Sequence, residues 1–123
     1  NNLKFIKLDI TKESLPDSDL MICRDCLIHL SFESIRLFFE NFRKSKINYL
    51  LLTTYKLKDK TKKLDNLDIP DGEYREIDLT RPPFLLPTPL HEILDKDELN
   101  KNSGFNCYLN LYTRGQINDL KFK

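Results

Sequence analysis

The stretch Asp19–Leu30, DLMICRDCLIHL, gathers four kinds of chemically active side chain into twelve residues. Cys23 and Cys26 have the C-x-x-C spacing of redox dithiols and of half a zinc site. Arg24 and Asp25 end an apolar run of strand length, the place where open α/β sheets build ligand clefts. His29 lies four residues past Asp25 and reaches the same cleft if the segment turns helical. There it is either a proton acceptor or a hydrogen-bonded packing residue.

The surroundings weigh against the cysteines. Cys23 closes an apolar strand, where burial raises a thiol's pKa, whereas a reactive pair needs a favoured thiolate. Zinc would need two more ligands, and Cys107, His29 and His91 are scattered singly, so no metal site is expected. The Arg24–Asp25 pair has plain alternatives too: a mutual ion pair, or an aspartate capping the helix that follows.

The elements that must position these residues are partly legible. Leu20–Cys23 is short and continuously apolar, like a strand covered on both faces in a parallel sheet. Ser31 can cap a helix in SFESIRLFFENFRKSK, in which Ile35, Phe38, Phe39 and Phe42 form one apolar stripe for the core. INYLLLTTY reads as the next buried strand, so Asp19–Thr54 is a βαβ unit. Upstream, Leu3–Ile10 alternates enough for a strand with Asp9 at its end, and TKESLPDSD is a loop. Downstream, Lys56–Asp71 is a long polar loop, and EYREIDL a short strand or extended arm. TRPPFLLPTPL, with four prolines, is an extended wall that either lines an acceptor pocket with Phe84 or covers a sheet edge. LHEIL and NCYLNLYTRGQI form a long-looped hairpin, with Tyr108 and Tyr112, like Tyr49 earlier, as packing residues.

Composition narrows the function classes. The 123 residues make one domain or part of one, 40% hydrophobic. Twenty basic and nineteen acidic residues nearly cancel, so neither nucleic acid nor an anionic membrane is an expected partner. The most basic patch, YKLKDKTKKLD, is interleaved with acids and reads as a solvated loop. No apolar run reaches the roughly 18 residues that cross a bilayer, and the expected location is cytoplasmic. Three cysteines, an odd number, argue against a secreted disulfide scaffold.

The order FIKLDI, LP, DLMICRDCLIHL, INYLLLTTY, NLDIPDGEYREIDLTRPPFLLPTPL, YLNLYTRGQI resembles the later half of class I S-adenosylmethionine-dependent methyltransferases. The resemblance is to a bacterial group with a similar Cys-Arg-Asp segment, Thr-Thr strand end, Asn-x-Asp-Ile turn and Pro-Pro-Phe segment. It implies S-adenosylmethionine as cofactor and a small-molecule methyl acceptor. It places Asp9 and Ile10 at the end of the third strand beside the adenine, where Asp9 either accepts from the exocyclic amine or simply opens a turn. Arg24 and Asp25 fall at the end of the fourth strand, near the methionine portion and the substrate, with His29 as candidate base. Methyl transfer then needs mainly alignment, sometimes proton removal.

The family's glycine-rich loop and its ribose-binding acid have no counterpart here. Gly72, Gly104 and Gly115 are the only glycines, and none lies between a strand and a helix. In the family the third strand is separated from the fourth by the second and first. Leu3–Ile10 would therefore stand about three strand spacings, roughly 14 Å, from Leu20–Cys23.

The expected fold is thus α/β: a partial Rossmann-like sheet over 1–123, with a βαβ unit plus a C-terminal β-hairpin. A strand swap or dimer would complete it. Leu3–Ile10 pairs with Leu20–Cys23 of its own chain, or with the equivalent in a second copy, giving a homodimer through the sheet edge. Two functions follow: an incomplete methyltransferase that is inactive alone, or a noncatalytic binding module that pairs through its open edge.

Overall fold

The structure is a computed structural model that describes residues 2–95 and 103–122. The elements are β1 (Leu20–Cys23), a 3-10 turn (Leu27–His29), α1 (Phe32–Lys44), β2 (Tyr49–Leu57), β3 (His91–Leu94), β4 (Phe105–Thr113) and α2 (Arg114–Asn118). The strands form one open, mixed sheet in the order β1-β2-β4-β3. β1 and β2 are parallel, and the other two pairings are antiparallel. The fold is α/β, and no helix among the described residues is long and apolar enough to cross a membrane.

Helix α1 forms where its stripe requires. The Ser31 hydroxyl accepts from the Ser34 N–H at 3.1 Å, Glu33 lies in the first turn, and Arg43 and Lys44 lie in the last. Ile35, Phe38, Phe39 and Phe42 are fully buried in one core with Leu50 and Leu52 of β2 and Tyr112 of β4. The expected βαβ unit and the hairpin of β3 and β4 are present; part of the hairpin's connecting segment lies outside the described residues.

The two faces of the sheet differ. Side chains alternate along each strand, so Leu50 and Leu52 with their partners Tyr112 and Asn110 make an inner face, all of them fully buried. The outer face carries Leu20, Ile22, Tyr49 and Ile93, which are 43%, 60%, 42% and 51% exposed. Leu51, Leu109 and Leu111 lie half-buried among them.

Five expectations change. Leu3–Ile10 is not a strand: residues 2–9 have no regular structure, with Phe5 93% and Ile6 63% exposed. The expected pairing of Leu3–Ile10 with Leu20–Cys23 of the same chain is absent, and β1 is the edge of the sheet. The cause is local: Asn41 Nδ2 donates to the carbonyls of Ile10 (2.8 Å) and Glu13 (2.7 Å), tying that turn to α1. β2 also continues through Lys56 and Leu57, because Asn106 and Phe105 supply ladder partners.

TRGQI is helical rather than strand, since Thr113 and Gln116 close a capping box. The proline segment folds back in place of an extended wall: Phe84 N–H donates to Arg81 C=O (3.2 Å) and Leu86 N–H to Leu79 C=O (2.9 Å). Phe84 is consequently buried against Phe32 and Phe39.

Candidate functional site

The carboxyl end of β1 is built around a tight turn. Asp25 has φ +54°, a left-handed conformation that Asp tolerates better than most residues, and its N–H donates to Thr53 Oγ1 at 2.8 Å. The mutual Arg24–Asp25 ion pair does not form. Arg24 instead forks onto Asp95 just past β3, Nε to Oδ2 at 2.9 Å and NH2 to Oδ1 at 3.1 Å. Asp95 is fixed there by its N–H, which donates to Cys107 C=O at 2.9 Å. The bridge therefore crosses the outer face from one edge strand to the other. Nor does Asp25 cap a helix: Cys26 is the N-cap of the 3-10 turn and makes no side-chain cap bond. The Asp25 carboxylate is exposed and makes no hydrogen bond among the described residues.

The turn also brings the two thiols into contact. Cys26, half-buried, is pushed down to about 7 by the hydrogen bond from the Cys23 thiol. Cys23, the donor in that bond and buried, is pushed up correspondingly. Among the described residues, no group of three or more His, Cys, Asp or Glu can hold a metal ion.

His29 stands on the 3-10 turn, exposed, with Nδ1 2.9 Å from Glu73 C=O and its ring 5.8 Å from that of Tyr74. A carbonyl only accepts, so Nδ1 carries the proton and Nε2 is left as the acceptor of the neutral ring. The Pro70–Glu73 turn that holds it needs Gly72 at φ +95°, whose N–H donates to His29 C=O at 2.7 Å.

Asp9 takes the turn-opening role. Its Oδ1 accepts from the Thr11 N–H (2.9 Å) and hydroxyl (2.6 Å), which hold the carboxyl below its ordinary range. Its N–H donates to Glu13 Oε1 at 2.8 Å. The hydrogen bonds of Asp9 and Ile10 go to their own turn and to Asn41, while those of Arg24 and Asp25 go to Asp95 and Thr53. No hydrogen bond joins the two groups among the described residues.

Sequence reasoning missed the residue that shapes this region most. Arg75 is buried and donates to four carbonyls: Leu27 (3.1 Å), Ile28 (3.0 Å), Leu30 (2.7 Å) and Leu67 (2.9 Å). Burial lowers its pKa, yet the carbonyl cage satisfies its donors and fixes the 3-10 turn that carries His29. Asp71 and Asp68 were also missed. Asp71 accepts from the Ser31 N–H and the Ser34 hydroxyl, both at 2.8 Å, and Asp68 from the Phe32 N–H at 2.9 Å. The Asn-x-Asp-Ile turn was a visible signal, but the partner of Asp68 lies 36 residues away. No family model, curated protein or solved structure matches this chain.

Proposed function

We propose that this chain is the carboxyl-terminal half of a class I S-adenosylmethionine-dependent methyltransferase domain with a Rossmann-like sheet, working in the cytoplasm on a small-molecule acceptor. The observation that carries the reading is the open edge of β1, with exposed Leu20 and Ile22 beside it and Arg24 and Asp25 at its carboxyl end. The resemblance puts the family's first two strands, and the cofactor loop, on that side of the sheet.

The residues present do not by themselves fit the cofactor. A cradle for it needs bare backbone, whereas the turn after β1 is filled by Arg24, Asp25 and Cys26, and Arg24 is already bonded to Asp95. Gly72 lies in the turn that holds His29, and Gly104 precedes β4. Gly115, contrary to the expectation that no glycine lies between a strand and a helix, falls in the first turn of the five-residue α2 directly after β4, but as a single glycine beyond the Thr113 cap it forms no glycine-rich loop. No methyl-transfer step is therefore assigned to Asp25 or His29 in the isolated chain, which is inactive in this reading. Its residues contribute position: Asp25 presents a carboxylate at the mouth, and His29 presents Nε2.

A second reading, a noncatalytic module that pairs through its edge, draws on the same open strand. The upstream coding DNA separates the two. An in-frame Gly-x-Gly-x-Gly after an apolar strand, within about 70 residues before Asn1, supports the methyltransferase reading. A start codon with nothing upstream overturns it in favour of the module.

A further inference from the structure

The geometry points to a reciprocal homodimer in which the arm Asn2–Lys7 of one copy adds as a fifth strand to the β1 edge of the other. This goes beyond the methyltransferase reading and does not need it: it concerns the 123-residue chain by itself, in which the β1 edge that the family's first two strands would cover is open.

The edge has the chemistry of a strand acceptor. Tyr49 N–H donates to Asp19 C=O at 3.0 Å, so the alternation of a parallel ladder turns the backbone groups of Met21 and Cys23 toward β2. Those of Leu20 and Ile22 then face outward, where the Ser18 hydroxyl donates to the Leu20 carbonyl at 3.2 Å. The strand LMIC carries no charge, proline or bulge, the devices that keep exposed edges from pairing.

The arm has the matching pattern. As a strand, Asn2–Lys7 spans roughly 20 Å, more than the roughly 13 Å of β1. Leu3 and Phe5 then point to one face and Ile6 to the other. The first two would lie beside Leu20 and Ile22 on the outer face, and Ile6 beside half-buried Met21 on the inner. Charge favours the same placement, since the arm carries Lys4 and Lys7 and the approach to β1 carries Asp17 and Asp19, all exposed. Phe5 and Ile6, among the most exposed apolar residues of the chain, would both be covered.

The structure also argues for exchange between copies. Asn41 pins the turn after the arm to α1, and the arm forms no ladder with its own β1. A second copy supplies an identical arm and an identical edge, so a two-fold axis satisfies both at once.

Light scattering on the 123-residue chain at micromolar concentration tests this. The expected mass is twice the 14.6 kDa of one chain. Phe5→Asp and Ile22→Lys, both at exposed sites, should each weaken the dimer at least roughly tenfold while leaving the circular dichroism spectrum unchanged. Lys4→Glu with Lys7→Glu should weaken it, as should Asp17→Lys with Asp19→Lys, and all four together should restore it. A monomeric wild type, a dimer that survives both Phe5→Asp and Ile22→Lys, or failure of the combined charge swap to restore pairing would each overturn the proposal. Cofactor binding is not read in this experiment, so its outcome is separate from that of the methyltransferase reading.

Discussion

The inner and outer faces of this sheet are made by the same strands yet are finished to different degrees. On the inner face α1 sets Phe38, Phe39 and Phe42 into a core with Leu50, Leu52 and Tyr112, and Arg75 ties the neighbouring 3-10 turn to the 67–75 segment. On the outer face Leu20, Ile22, Tyr49 and Ile93 remain exposed, crossed by the Arg24–Asp95 bridge. Apolar strands alone do not make a buried face. A strand read as buried from its composition is buried only where something packs over it. On the outer face that holds for the end beside the Asp25 turn, where Thr53, Tyr55 and Cys107 are buried, and not for the Leu20, Ile22 and Tyr49 end.

Substitutions should expose this asymmetry, the finished side responding most. Phe39→Ala removes a fully buried ring from the inner core and should cost about 3–5 kcal/mol in urea denaturation; a cost near zero would mean α1 is not seated as described. Arg75→Met should follow at about 3 kcal/mol, because it strands buried carbonyls that have lost their donors.

Asp71→Asn should cost about 1 kcal/mol at neutral pH by weakening the bonds to Ser31 and Ser34 at the start of α1. These bonds hold the Asp71 carboxyl below its ordinary 3.8, so the native state binds fewer protons than the unfolded chain there. The stabilisation is complete above the ordinary value and disappears as pH falls through the lowered one. Wild type and variant should converge in acid, and a gap that persists there would refute this origin. Smallest of all, Ile93→Thr on the outer face should move stability by no more than about 0.5 kcal/mol. A loss comparable to that of Phe39→Ala would show that the outer face is covered in solution.

What the sequence disclosed follows from range. Helix α1 was readable because its cap and stripe lie within 16 residues, and β2 because its run is apolar and β-branched. Leu3–Ile10 shows the converse: alternation gives a segment the capacity for a strand, but the ladder must come from a distant neighbour, and the segment is not part of the four-stranded sheet of the described residues. The helix after β4 was announced by Thr113 and Gln116 at capping-box spacing and was overlooked because the preceding run read as strand. In the site, the position of Asp25 was legible from the end of β1. Its left-handed backbone, the Arg24–Asp95 fork and the carbonyl cage of Arg75 were not, since apart from Leu67, 8 residues from Arg75, their partners lie 28 to 71 residues away.

Under the proposed methyltransferase reading, the open β1 edge is where the cofactor-binding strands would stand, and the residues present hold no cofactor alone. Titration calorimetry of the 123-residue chain with S-adenosylmethionine tests it most directly. The account predicts no saturable heat at micromolar cofactor, and a one-to-one isotherm in that range would contradict it.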